Sequence, residues 1–151
     1  MDEDEEIECT KIQDRYGRVY DLKCTDWKTG WRLILSDEGA RVGEAKCTVG
    51  PGGLFIGDLH IFEPAGSQKQ NWIARLGEIL GWREKPQSYR RLGLGSEMLQ
   101  YIVSRARQKG IKGIEGNFSA VDTGPNPKLP EWYRKRGFTI KSDSGGFYMD
   151  L

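Results

Sequence analysis

Histidine is nearly missing from this 151-residue chain, with His60 the only one. A metal site built on clustered imidazoles is therefore excluded, and the cysteines do not replace it. Cys9, Cys24 and Cys47 are an odd number at wide spacing with no Cys-x-x-Cys pair, which reads as reduced core thiols rather than a disulfide framework or a metal centre. Long apolar runs are missing too. No stretch approaches the roughly 20 apolar residues of a spanning helix, so a membrane is not an expected partner. An excess of one charge sign is also lacking, since Lys and Arg total 23 against 22 Asp and Glu, a net charge of +1. The chain shows no internal repeat, low-complexity tract or second-domain linker. Met1 to Glu6 is acidic, the reverse of a secretory or mitochondrial leader, so the expected location is cytoplasmic.

What is present fits one soluble domain over residues 1–151, with 37% hydrophobic and 30% charged residues. Residues 1–10 are expected to form a solvated acidic tail. Arg18 to Thr25 reads weakly as a strand. Trp31 to Ser36 and Arg41 to Val49 alternate apolar and polar residues and predict a hairpin across Asp37-Glu38-Gly39-Ala40. Leu54 to Glu63 carries Leu54, Ile56, Leu59, Ile61 and Phe62, which predicts a central strand buried on both faces. Helical spacing of Trp72, Ile73, Leu76, Ile79 and Leu80 after Ser67 predicts a helix within the segment 65–88.

A basic, glycine-spaced turn, Arg90-Arg91-Leu92-Gly93-Leu94-Gly95-Ser96, then runs into an amphipathic stretch. Met98, Leu99, Ile102, Val103 and Ala106 share one helical face, basic residues crowd the last turns, and Gly110 stands at the stop. A helix that starts in such a turn leaves backbone N–H groups pointing outward, and glycine removes the Cβ that blocks close approach. Such an end binds phosphate, the plainer alternative reading of Gly-x-Gly being a tight turn alone. Ile111 to Phe118 reads as a strand parallel to the central one, reached by a right-handed crossover. A short helix with Leu129, Trp132, Tyr133 and Arg136 follows, then a terminal hairpin from Phe138-Thr139-Ile140 and Phe147 to Leu151.

The spacing Arg90-x-x-Gly93-x-Gly95 resembles the pyrophosphate loop of the GCN5-related N-acetyltransferases. Asn126, Tyr133 seven residues later, and Gly137-Phe138 resemble that family's second signature. The resemblance implies an α/β fold with a mixed central sheet of six to seven strands and helices on both faces, the segment 65–88 being an insertion. It also implies transfer of an acetyl group from acetyl-CoA, as cosubstrate and without a metal, to a primary amine on a small molecule or a peptide.

Such chemistry needs a base, because an amine with a pKa near 10 must lose a proton before attacking a thioester. It also needs an N–H donor at the oxyanion and an acid toward the leaving thiolate. By resemblance, the loop residues Arg90, Arg91, Leu92, Gly93, Leu94, Gly95 and Ser96 hold the pyrophosphate. Ile61 and Phe62 pair with the pantetheine arm and supply the oxyanion donor. Tyr133 is either the acid or a packed aromatic, and Asn126 either contacts the cofactor or caps its helix. Glu63 is the leading base, with Asp58, Glu115 and Asp122 as competitors; His60 has a suitable intrinsic pKa, but on an apolar strand a structural role is favoured over a proton-accepting one. Two other readings stay open. One is a module that binds coenzyme A or acyl-CoA without efficient catalysis. The least favoured is a nucleic-acid-binding domain using the basic clusters with Trp72, Trp82 and Tyr89. A homodimer is left open.

Overall fold

Alternation of apolar and polar side chains builds most of this chain into strands: β1 (Glu6–Gln13), β2 (Val19–Trp27), β3 (Gly30–Asp37), β4 (Ala40–Gly50), β5 (Gly53–Ile61), β6 (Gly113–Asn117), β7 (Thr139–Lys141) and β8 (Gly146–Asp150). Two described helices, α1 (Leu94–Gln108) and α2 (Leu129–Arg134), complete the fold. The computed structural model describes residues 6–62, 89, 92–117, 129–141 and 145–151. The helix expected within 65–88 lies outside them.

The strands form one mixed sheet in the order β1-β2-β3-β4-β5-β6-β8-β7, antiparallel throughout except for the β5–β6 pair. The β3–β4 hairpin turns through Glu38 and Gly39, both with positive φ, the conformation whose twist suits a two-residue hairpin. The sheet has eight strands rather than six or seven. The additional one is β1: the acidic stretch is not a tail beyond residue 5, because Glu6 to Gln13 pairs with β2 over its whole length. Glu8 on β1 finds a cation, its Oε2 accepting from Arg105 Nη1 at 2.9 Å, and Lys11 on β1 pairs with Asp21 on β2.

One face of the sheet carries Tyr20, Leu22, Leu33, Leu35, Ala45, Leu54, Ile56 and Ile114, all buried. Helix α1 lays Leu94, Met98, Leu99, Ile102 and Ala106 on that face, each large side chain contributing about 1.5–3 kcal/mol by burial. Arg105 is buried as well, its guanidinium 5.4 Å from the Trp31 ring and bonded to Asp26 Oδ2 at 2.9 Å. Helix α2 joins the same face through Tyr133, stacked on Phe147 with ring centroids 4.0 Å apart.

Two expectations for single residues change. Strand β5 is central but not buried on both faces. Leu54 and Ile56 are buried, whereas Gly57 and His60 are exposed. The cysteines are all free, Cys24 and Cys47 in the core and Cys9 exposed.

Candidate active site

Strands β5 and β6 run side by side for only three residue pairs, Leu54 with Ile114 through Ile56 with Gly116. Among the described residues no β5–β6 pairing follows Ile56 with Gly116, although β5 continues to Ile61, and a β-bulge at Gly57 marks the divergence: Cys47 pairs with Ile56 but Lys46 with Asp58. Beyond the bulge the Phe62 N–H donates to the Val42 carbonyl at 2.8 Å. Antiparallel bonding alternates, so Asp58 and His60 also direct their backbone groups to β4, and those of Leu59 and Ile61 face the gap that β6 leaves. Among the described residues no strand pairs with that edge. Of the two backbone positions expected to meet an extended ligand, Ile61 is therefore the one with its N–H on the open side. Phe62 spends its N–H inside the sheet.

Helix α1 begins beside this gap. Gly93 caps it with φ 84° and no side-chain hydrogen bond to the first N–H groups. The Arg15 N–H holds the Leu92 carbonyl at 2.8 Å and anchors the preceding loop to the β1–β2 turn. Among the described residues a Cβ on Gly93 would meet nothing within 4 Å; one on Gly95 would lie 3.4 Å from Trp132. Arg136 closes the other side. Its Nε donates to Ser96 Oγ at 2.8 Å, its Nη1 to the Trp132 carbonyl at 2.8 Å, and its guanidinium lies 4.0 Å from the Trp132 ring centre. Burial lowers the Arg136 pKa. Among the described residues no carboxylate pairs with it.

Tyr133 is buried among Trp132, Phe138 and Phe147. Phe147 in turn covers Gly116, where the strands part, so the helix start, α2 and the gap form one continuous region.

On the sheet face opposite the helices, β5 carries Asp58, His60 and Phe62. His60 Nδ1 lies 3.0 Å from Asp58 Oδ1, and its ring meets Phe62 edge-on with centroids 4.6 Å apart. Across the ladder stand Glu44, opposite His60, and Lys46, opposite Asp58. Glu44 is buried and accepts from Arg32 Nε at 2.9 Å. Glu115, on β6, pairs with Lys141 at 3.5 Å.

The expected site residues Ile61, Phe62, Leu92, Gly93, Leu94, Gly95, Ser96 and Tyr133 are thus distributed around the gap and the helix start. Glu63, Arg90, Arg91, Asn126 and the competitor Asp122 lie outside the described residues. Sequence reasoning did not single out Arg136 or Trp132, although both fall inside the second signature. It also missed a buried polar cluster behind the loop: Arg18 Nη2 on Asp37 Oδ1 at 2.9 Å, and the Tyr89 hydroxyl donating to Asp37 Oδ2 at 2.8 Å. No local pattern announces pairs separated by 19 and 52 positions. Among the described residues no cluster of three His, Cys, Asp or Glu side chains is placed to hold a metal ion, and no helix is long and apolar enough to cross a membrane.

Comparison with known proteins meets this geometry from outside. Residues 14–138 match the model of the acetyltransferase (GNAT) family. No curated protein matches the chain in sequence. Solved structures with the same fold include the PaiA N-acetyltransferase of Thermoplasma acidophilum in complex with coenzyme A, at 12% identity and a TM-score of 0.54 over 82% of this chain and 62% of that one. The ribosomal-protein-S18-alanine N-acetyltransferase of Escherichia coli superposes at 13% identity and a TM-score of 0.55 over 83% of this chain and 72% of that one. An acetyltransferase from Bacillus anthracis in complex with acetyl coenzyme A covers 100% of this chain and 91% of its own, at 13% identity and a TM-score of 0.54. The chain thus spans less than two thirds of the length of the Thermoplasma protein. At these identities the likeness speaks for the fold alone.

Proposed function

Because the chain belongs to the GNAT acetyltransferase family, we propose that it transfers the acetyl group of acetyl-CoA to a primary amine of a small molecule or a peptide by direct attack. The observation that carries this reading is the parting of β5 and β6 after Ile56 and Gly116, next to a helix start without a side-chain cap. An exposed strand edge offers N–H and C=O groups to an amide-containing arm, as a missing strand would. Free N–H groups at a helix start favour a pyrophosphate.

The residues present fit that cosubstrate. The N–H groups of Leu94, Gly95 and Ser96 bind the diphosphate, with Arg90, Arg91 and Asn126 adding contacts by family resemblance. The backbone of Ile61 lies along the pantetheine arm and supplies the N–H donor for the oxyanion. Tyr133, fixed by its stack on Phe147, gives its phenolic proton to the departing thiolate. A base on or just past β5 takes the amine proton, and Glu63 is the carboxylate that the sequence puts there. Acetyl-CoA, when bound, supplies the activated acyl carbon.

Calorimetric titration of acetyl-CoA into the parent and into a Gly93→Glu/Gly95→Glu double variant tests the reading, with thiol release followed against spermidine, L-lysine amide and an alanyl peptide. Micromolar binding that the double variant loses, together with thiol release for at least one amine, is the expected outcome. A parent that binds no coenzyme A derivative at micromolar concentration overturns it.

A further inference from the structure

We infer that His60, oriented by Asp58, is the group that takes the proton from the acceptor amine. This rests on the acetyl-transfer reading above and replaces Glu63 as its base. Three observations carry it. First, the imidazole is on the strand that borders the gap, on the face opposite α1 and α2. A cosubstrate held at the α1 start reaches the gap from the helix side, so the acceptor meets the thioester from the other face. His60 stands there, with 42% of its side chain exposed.

Second, the Asp58 contact fixes the imidazole's chemistry. An ionised carboxylate only accepts hydrogen bonds, so at 3.0 Å from Oδ1 the Nδ1 of the neutral ring carries the hydrogen. Nε2 is then the nitrogen with a free lone pair, and the edge-on contact with Phe62 limits the ring's rotation. Third, the other described carboxylates near the gap are engaged. Glu44 is buried against Arg32, Asp58 accepts from His60, and Glu115 pairs with Lys141. Among the described residues the charged neighbours facing His60 are Asp58 on its own strand and Glu44 and Lys46 on β4, with Arg32 on β3 neutralising Glu44.

The proton count closes. Nε2 of His60 takes one proton from the ammonium, and the neutral amine attacks the thioester carbonyl carbon. The C–N bond forms and the C–S bond breaks. The thiolate takes a proton from the Tyr133 hydroxyl, and the second proton lost from nitrogen as the amide forms restores it. His60 then releases its proton to solvent, one per acetyl group transferred.

Because the chain has one histidine, both the test and its control read a single group. His60→Gln, Asp58→Asn and Glu63→Gln are compared with the parent in kcat/KM against pH, using the fastest of the three amines, and in calorimetric acetyl-CoA binding. In parallel, diethylpyrocarbonate modification of the imidazole is timed with and without saturating acetyl-CoA. His60→Gln is expected to lower kcat/KM by about 100-fold or more, to remove the acid limb of the profile, and to bind acetyl-CoA as the parent does. Asp58→Asn is expected to fall between the two, and acetyl-CoA to slow modification. Parent-like rate and profile in His60→Gln, or modification indifferent to acetyl-CoA, overturns the inference while the acetyltransferase reading stands. A parent that neither binds acetyl-CoA nor releases thiol overturns both.

Discussion

Arg136 and Ser96 join the start of α1 to the end of α2: the guanidinium Nε donates to the hydroxyl at 2.8 Å across 40 positions of sequence, at the place proposed for the pyrophosphate. The cation stands at the start of α1, where the free N–H groups already favour an anion, and no described carboxylate neutralises it. Arg136→Met keeps an apolar stem against Trp132 and removes the donors. The expected result is about tenfold weaker acetyl-CoA binding by calorimetry, the scale of one hydrogen bond to a charged group. A cycle with Ser96→Ala should show coupling of about 1 kcal/mol. Strict additivity would mean that the contact does not organise the site.

Gly93 and Gly95 are both motif glycines, yet their geometry separates them. Gly93 has φ 84° with no described residue within 4 Å of an added Cβ, so Gly93→Ala costs about 1–2 kcal/mol through backbone conformation. Gly95 is inside the helix, and its added Cβ would make an ordinary contact with Trp132 at 3.4 Å. Gly95→Ala is therefore expected to keep the parent's stability or exceed it, since alanine favours helix by about 1 kcal/mol over glycine. Urea denaturation of the two variants reads the difference directly. Equal destabilisation would contradict the left-handed cap.

The contrast between these glycines marks what a sequence conveys. Helix α1 was legible because Met98, Leu99, Ile102 and Ala106 repeat with the helical period, and Tyr133 because its spacing to Gly137 and Phe138 is local. Strand β1 was hidden by its acidic composition, since the cation that binds Glu8, Arg105, is 97 positions away. The β5 bulge left a trace that was misread. Leu54 and Ile56 keep one alternation, then Leu59 and Ile61 resume it a step out of phase across Gly57. Read as continuous burial, the pattern concealed that Asp58 and His60 share the open face. The Arg18–Asp37–Tyr89 cluster left no trace, because only the folded chain brings its members together.

Alkaline pH should weaken the fold. Burial, and then the neighbouring Cys24, pushes the Cys47 thiol up to about 12, while burial and the hydrogen bonds to Asp14 and Asp37 hold the Tyr20 and Tyr89 hydroxyls well above the ordinary tyrosine range. The folded state thus keeps protons that the unfolded chain releases. This stability is complete below the unfolded values and is lost as pH rises from about 9 toward 12, at about 1.4 kcal/mol per pH unit for each group. Urea denaturation between pH 8 and about 11 should show the decline, with a shallower slope in Cys47→Ala. A flat profile would count against buried, protonated groups.

Gly116 gives the most direct access to Tyr133 without touching it. A Cβ there would approach Phe147 Cζ to 2.3 Å, and Phe147 lies parallel to the Tyr133 ring at 17°. Since no atom fits at that distance, Gly116→Ala must turn Phe147 and shift the tyrosine that rests on it. The expected cost is about 1–3 kcal/mol of stability, as for other overpacked cores. If Tyr133 protonates the thiolate, kcat should also fall by about tenfold or more while acetyl-CoA affinity stays within about twofold, because the chemical step alone needs the hydroxyl in place. Phe147→Leu added to Gly116→Ala relieves the clash but removes the stacking partner, so it should restore part of the stability and little of kcat. Recovery of both together would assign Tyr133 to packing rather than to proton transfer.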